Sequence, residues 1–192
     1  MTTITIDARK FRSLASLVNN KDVRFYMHGI HFYQAGDSVR AVATDGHALL
    51  DIEAAADTSL DNSVTVGLPQ KKVAKGAEYV EINLSANAPD RAGTGEPSWH
   101  HMTVTTKSGA TSYTTSPSVE GTFPDFERVL ADITKTGEAE SLTFNPALIA
   151  GITQEYGEAG LTFVAPECKG GPITIDIPSE PHARCVIMPC RR

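Results

Sequence analysis

The run Thr44-Asp45-Gly46-His47 places a carboxylate and an imidazole two residues apart, a spacing that could serve as a general-base pair. Asp-Gly is also ordinary material for a tight turn between strands, chosen for its backbone conformation rather than its chemistry. No serine or cysteine nucleophile stands in a matching motif, and no glycine-rich phosphate loop is present. His28, His31, His100 and His101 are metal-ligand types, but no carboxylate spacing supports a site. Cys168, Cys185 and Cys190 form an odd set without a CxxC pair, which argues against a disulfide framework and a zinc site. The residues therefore read as a protein that performs no catalysis and needs no metal or cofactor.

A second kind of chemistry is the binding of phosphates by cations. Arg9, Lys10 and Arg12 sit close together, as do Lys71, Lys72 and Lys75. The whole chain has 17 basic and 23 acidic side chains for a net charge of −6, which excludes binding nucleic acid through bulk positive charge. A local basic surface on an acidic body remains open. Hydrophobic residues are 41% and charged ones 21% of the 192, enough to bury a core in one large or two small domains. No apolar run has the length of a membrane helix, and the first residues lack a charged start with an apolar stretch behind it. A soluble, cytoplasmic protein with no signal peptide is the expectation.

These groups must be positioned by a repeated unit of strand, helix and three strands. Thr3 to Ile6 alternates as a half-buried strand. Asp7 sits at an N-cap, and Phe11, Leu14, Ala15 and Val18 follow with helical spacing. Strand-like segments follow at Val23–Tyr33, Ser38–Thr44 and His47–Ala54. In the last, Leu50, Ile52 and Ala54 predict a buried face, and Asp51 and Glu53 a wet one. The second unit has a strand at Ser63–Leu68 and a helical turn from Pro69 through Lys75, stopped by Gly76. Its later strands run around Val80–Leu84, Met102–Val104 and Thr111–Thr115. The third has a strand at Leu142–Phe144 and a helix over 146–156 with Leu148, Ile149, Ile152 and Tyr156 on one face. Strands at Leu161–Val164, Ile173–Ile177 and Ala183–Met188 complete it. Residues 86–98 predict a long loop, and 131–140 a polar connector.

Three segments carry a resemblance. Residues 22–50, from Asp22-Val23-Arg24-Phe25-Tyr26-Met27-His28-Gly29 to Thr44-Asp45-Gly46-His47-Ala48-Leu49, resemble the middle domain of the bacterial DNA polymerase III beta subunit, the sliding clamp. Phe123-Pro124-Asp125-Phe126-Glu127-Arg128-Val129-Leu130 resembles the stretch closing that domain. Val186-Ile187-Met188-Pro189-Cys190-Arg191 resembles the clamp's C-terminal tail. The resemblance implies an α+β clamp fold with helices on one face of antiparallel sheets. It implies a middle domain at 1–130, a connector at 131–140 and the second half of a last domain at 141–192. The chain is thus identified as a truncated member of the family.

The implied function is a DNA-replication processivity factor that encircles double-stranded DNA without reading sequence and tethers a polymerase, with a clamp loader as a further partner. The implied peptide pocket consists of Met27, Thr44, Gly46, His47, Leu49, Pro124, Arg128, Val129, Val186 and Met188. Ala48 stands where the family usually has a basic residue. Taken singly, Leu49, Val129 and Val186 also read as core. The implied DNA contacts are Arg9, Lys10, Arg12, Arg24, Phe25, Tyr26, Lys71, Lys72 and Lys75, although such cations also commonly solvate helix faces. The family ring has twelve repeat units and this chain three, so a homo-oligomer of four copies is expected ahead of a dimer. The half-domain is expected to leave sheet edges and one apolar face uncovered and so to drive assembly. The alternative is a decoy or regulator that binds the same peptides without encircling DNA.

Overall fold

A computed structural model describes residues 2–84, 99–131, 142–166 and 170–190. The expected loop at 86–98 and nearly all of the expected connector at 131–140 lie outside these residues, as does Cys168.

The first unit forms as its sequence dictates. Strand β1 (Thr2–Asp7) leads directly into helix α1 (Ala8–Leu17). The Asp7 carboxylate caps α1, accepting the backbone N–H groups of Arg9 at 2.7 Å and Lys10 at 3.3 Å. Phe11 and Leu14 are buried, and Ala15 and Val18 pack beside them. Strands β2 (Gly29–Ala35), β3 (Ser38–Thr44) and β4 (Ala48–Ala56) follow, all antiparallel. The expected strand from Val23 starts only at Gly29, because Phe25–Met27 forms a 3-10 turn.

The second unit supplies β5 (Val64–Gly67), β6 (Ala77–Leu84), β7 (Trp99–Thr106) and β8 (Thr111–Pro117). The units exchange first strands: β5 pairs with β2, and β1 pairs with β6. The resulting path β5-β2-β3-β4-β1-β6-β7-β8 nearly closes on itself through a bridge between Val66 and Ser118. The expected helical turn at 69–75 does not form. That segment buries only Val73 and carries three like charges, so nothing offsets the cost of nucleating so short a helix.

Helix α2 (Phe126–Ala131) lies on the outer face of the first unit's sheet, where Phe126 and Leu130 meet Val42, Leu49 and Val186. The sequence reading had no helix there. The third unit begins with Asn145 capping a 3-10 turn at Pro146–Ile149, which runs into α3 (Ala150–Tyr156). Residues 142–144 form no strand; the Thr143 carbonyl instead accepts the Cys190 N–H at 2.8 Å. Strands β9 (Thr162–Val164), β10 (Ile173–Asp176) and β11 (Arg184–Ile187) extend the first sheet, because β11 pairs with β4 in the register Val186 to Leu49.

The apolar face of the third unit, expected to be uncovered, is buried. Ile149, Ile152, Tyr156, Ile173, Ile175 and Ile187 join the same core as Ile4, Phe11, Leu14 and Leu50. Helix α3 crosses α1 so closely that a Cβ on Gly151 would fall 2.1 Å from the Ser16 side chain. Among the described residues two sheet edges remain: β9 pairs only with β10, and β8 pairs along its length only with β7.

Of the two outward residues of β4 expected to be wet, Glu53 is half-exposed but Asp51 is not. Asp51 is 0% exposed, with Arg40 Nε donating to both its oxygens at 3.1 Å and Tyr33 Oη donating at 3.1 Å. Arg184 binds the same carboxylate, donates to Tyr33 Oη at 2.7 Å and pairs with Glu127 of α2. Arg40 also donates to the His182 carbonyl at 2.7 Å. This network ties the third unit and α2 to the first unit. Burial, followed by the Asp51 charge, pushes the Tyr33 hydroxyl well above its ordinary range, so it stays a neutral donor.

Candidate functional site: an apolar cleft at the junction of three segments

The turn joining β3 and β4 shapes one wall of a cleft. Asp45 Oδ1 accepts the N–H groups of His47 and Ala48, each at 2.8 Å, while Thr44 Oγ1 donates to the Ala48 carbonyl at 2.7 Å. Gly46 has φ +87°, a backbone conformation that disfavours side chains. The Asp45 carboxylate thus shapes the turn. The chain end is tied to the same turn, since Met188 N–H donates to the His47 carbonyl at 2.7 Å.

Around this turn lies a cleft of about 150 Å³, with Met27, Thr44, Gly46, His47, Leu49, Pro124, Val129, Val186 and Met188 among its lining. Nine of the ten residues expected from sequence therefore meet at one place. Arg128 is the exception: it is exposed and does not line the cleft, while its backbone N–H donates to Asp125 Oδ1 at 3.3 Å. The cleft floor continues into Val42, Leu49, Phe126 and Val186, so its rigid part is core. Val129 and Met188, 39% and 40% exposed, form the accessible part. Methionine suits such a position because its thioether adapts to differently shaped partners.

Sequence reading missed Ala48, Asp125, Phe126 and Arg24 as lining residues. Arg24 was expected at DNA. Its guanidinium lies against Gly46, where a Cβ would come within 2.7 Å of Nη1. Arg24 also forms a two-point pair with Asp22, Nε to Oδ1 at 2.9 Å and Nη2 to Oδ2 at 2.7 Å. The Arg24 side chain, helped by its backbone N–H, holds the Asp22 carboxyl well below the usual carboxylate range.

Of the other expected DNA contacts, Arg12, Lys72 and Lys75 line one pocket beside α1 together with Glu155. On α1, Arg9 is exposed and lies over the Tyr156 ring at 5.7 Å. Lys10 pairs with Glu180 at 3.1 Å. Arg12 pairs with Glu155 at 2.7 Å and donates to the Ala74 carbonyl at 2.9 Å, so it fastens α1 to α3 and to residues 68–75. Lys71, Lys72 and Lys75 are exposed. Phe25, 58% exposed, meets Tyr26 edge-on at 5.8 Å.

His28, His31 and Cys185 are held in local surroundings. His28 bonds the Asp22 carbonyl and His31 the Thr65 hydroxyl. His31 stacks on Phe123 at 4.5 Å, and burial lowers it to about 4, so it is neutral near pH 7. Burial pushes the Cys185 thiol up to about 12, leaving it unreactive. No helix among the described residues is long and apolar enough to cross a membrane.

Two antiparallel repeat units that exchange first strands, with α1 of the first and α3 of the third packed into one core, form the α+β architecture of the DNA-clamp class. The model of the DNA polymerase III beta subunit central domain matches residues 8–125, and the chain belongs to that family. The beta sliding clamp of Haemophilus influenzae is 32% identical over 111 residues, covering 58% of this chain and 28% of that one. That of Pseudomonas putida is 30% identical over 132 residues, covering 67% and 34%. The chain thus spans about a third of the length of these relatives. The Thermotoga maritima beta subunit superposes over 100% of this chain and 66% of its own, with TM-score 0.65 and 12% identity. The Bartonella birtlesii clamp, solved with griselimycin bound, gives TM-score 0.64 and 20% identity over 99% of this chain and 66% of its own. These structures establish the fold.

Proposed function

We propose that the chain is a clamp-like processivity factor of DNA replication: it encircles double-stranded DNA without sequence preference and tethers a polymerase, through a short peptide seated in the cleft. A clamp loader uses the same cleft. The observation that carries this reading is the convergence of nine residues from three separated segments on one cleft. Its makeup of apolar wall, methionine and a few polar edges is that of a peptide site. Residues 1–130 serve as the middle domain and 141–192 as half of a last domain. Four copies complete the ring in the cytoplasm. The reading involves no catalysis, metal or cofactor.

A specific observation favours a second reading, a decoy that captures clamp-binding peptides without encircling DNA. Lys10 and Arg12 are already paired with Glu180 and Glu155, which reduces the cationic surface left for phosphates. DNA binding separates the two. The ring reading expects weak, sequence-independent binding whose logarithm falls linearly with that of salt. Reversing Lys71, Lys72 and Lys75 to Glu is expected to weaken binding about tenfold or more at low salt and flatten that slope. Absent binding, or the same affinity after reversal, favours the decoy.

A further inference from the structure

We infer that the recess between α1, α3 and residues 68–75 is a binding site for a small phosphomonoester, a molecule with a flat apolar body and a terminal phosphate. The recess shares no lining residue with the cleft beside the β3–β4 turn, so it stands or falls apart from the peptide reading.

Residues 69–75 form no helix and bury only Val73, which leaves a space between that segment and the two helices. Its volume of about 360 Å³ falls at the lower end of the range for small-molecule sites. One side chain ties the three walls together. Arg12 of α1 donates from Nη2 to Glu155 of α3 at 2.7 Å and from Nη1 to the Ala74 carbonyl at 2.9 Å. Gly151, whose lack of a side chain lets α3 meet Ser16 of α1, lines the same recess. The walls are thus set before a ligand arrives, which lowers the cost of binding.

The lining has two kinds of chemistry. Phe11, Ala15, Leu68 and Val73 are apolar, and Ala15 and Leu68 are only half-buried. Arg12, Lys72 and Lys75 face a single carboxylate, that of Glu155, which Arg12 already engages. A surplus of two positive charges therefore gathers here on a chain whose net charge is −6, and the exposed Lys72 and Lys75 carry it. That surplus matches a phosphomonoester, which bears close to two negative charges near pH 7, better than a carboxylate or a phosphodiester with one. A duplex would meet only the lysines and has nothing to set against Ala15 and Leu68. A ligand that uses the whole recess needs an apolar body as well as the phosphate.

The test is calorimetric titration of the full chain at low salt with 1-naphthyl phosphate, 1-naphthoate and inorganic phosphate. The expected result is one 1-naphthyl phosphate per chain, bound at least about tenfold tighter than inorganic phosphate and about fivefold tighter than 1-naphthoate. Lys72→Gln with Lys75→Gln is expected to weaken it about tenfold and to leave the thermal midpoint in place, since both side chains are exposed. Ala15→Leu puts bulk into the apolar part and is expected to weaken 1-naphthyl phosphate about tenfold while leaving inorganic phosphate unchanged. If that variant does not fold, the lysine variant decides alone. Inorganic phosphate binding as tightly as 1-naphthyl phosphate would mean a charged surface without a pocket and overturn the inference. Equal affinity for 1-naphthoate, no binding of 1-naphthyl phosphate, or unchanged affinity in the folded lysine variant would overturn it as well.

Discussion

Asp51→Ala is expected to destabilise the fold by about 3–5 kcal/mol, because removing one partner of a buried ion pair leaves the other uncompensated. Here the uncompensated groups are Arg40, with a side chain only 10% exposed, and Arg184, which reaches over from the third unit. Tyr33 loses its acceptor at the same time. That loss is a large share of the roughly 5–15 kcal/mol that ordinarily holds a domain together. The measurement is urea unfolding followed by circular dichroism, with the midpoint falling by about 1.5–2.5 M at an ordinary slope. Replacing Asp51, Arg40 and Arg184 together by Leu, Met and Met is expected to recover much of the loss, since no charge is then left unpaired. A single-variant loss below about 1 kcal/mol would mean that water reaches the network and that it does not hold the third unit.

The second large effect is on binding. Val129→Glu with Met188→Glu is expected to weaken capture of an anchor-bearing peptide by at least about fiftyfold, since each places an uncompensated charge in the apolar part of the cleft. Because both side chains are more than a third exposed, the fold is expected to survive. Anisotropy titration with a fluorescent peptide carrying two large apolar side chains reads the affinity, and the thermal midpoint reports on folding. Unchanged affinity in a folded double variant would remove the cleft from the account.

The part of this molecule legible in the sequence is the part set by local rules. Asp7 before an apolar stripe and Asn145-Pro146 before another gave both main helix starts, and alternation gave most strands. The cleft was legible through the resemblance of three segments; burial preference alone would have left Leu49 and Val186 as core. The errors have a common physical origin in distant contacts. Asp51 looked wet because Arg184, which neutralises it, lies 133 residues away. Arg24 was not legible as a cleft residue because its place depends on the bare surface of Gly46, 22 residues later in the chain. Residues 69–75 had a helix-starting Pro and a stopping Gly but no apolar stripe to pack, and those end signals did not suffice. Helix α2 was missed because its apolar side faces a sheet surface assembled partly from β11.

The central claim is a ring that holds a partner on DNA, and the mass of the protein in solution tests it most directly. The edges of β8 and β9, unpaired among the described residues apart from β7 and β10, and the repeat count are the grounds on which four copies are proposed. Light scattering on the eluting peak at micromolar concentrations and above is expected to give about four times the 20.6 kDa chain mass. A 20.6 kDa monomer that persists as the concentration is raised would contradict a self-assembled ring and leave the peptide decoy as the function.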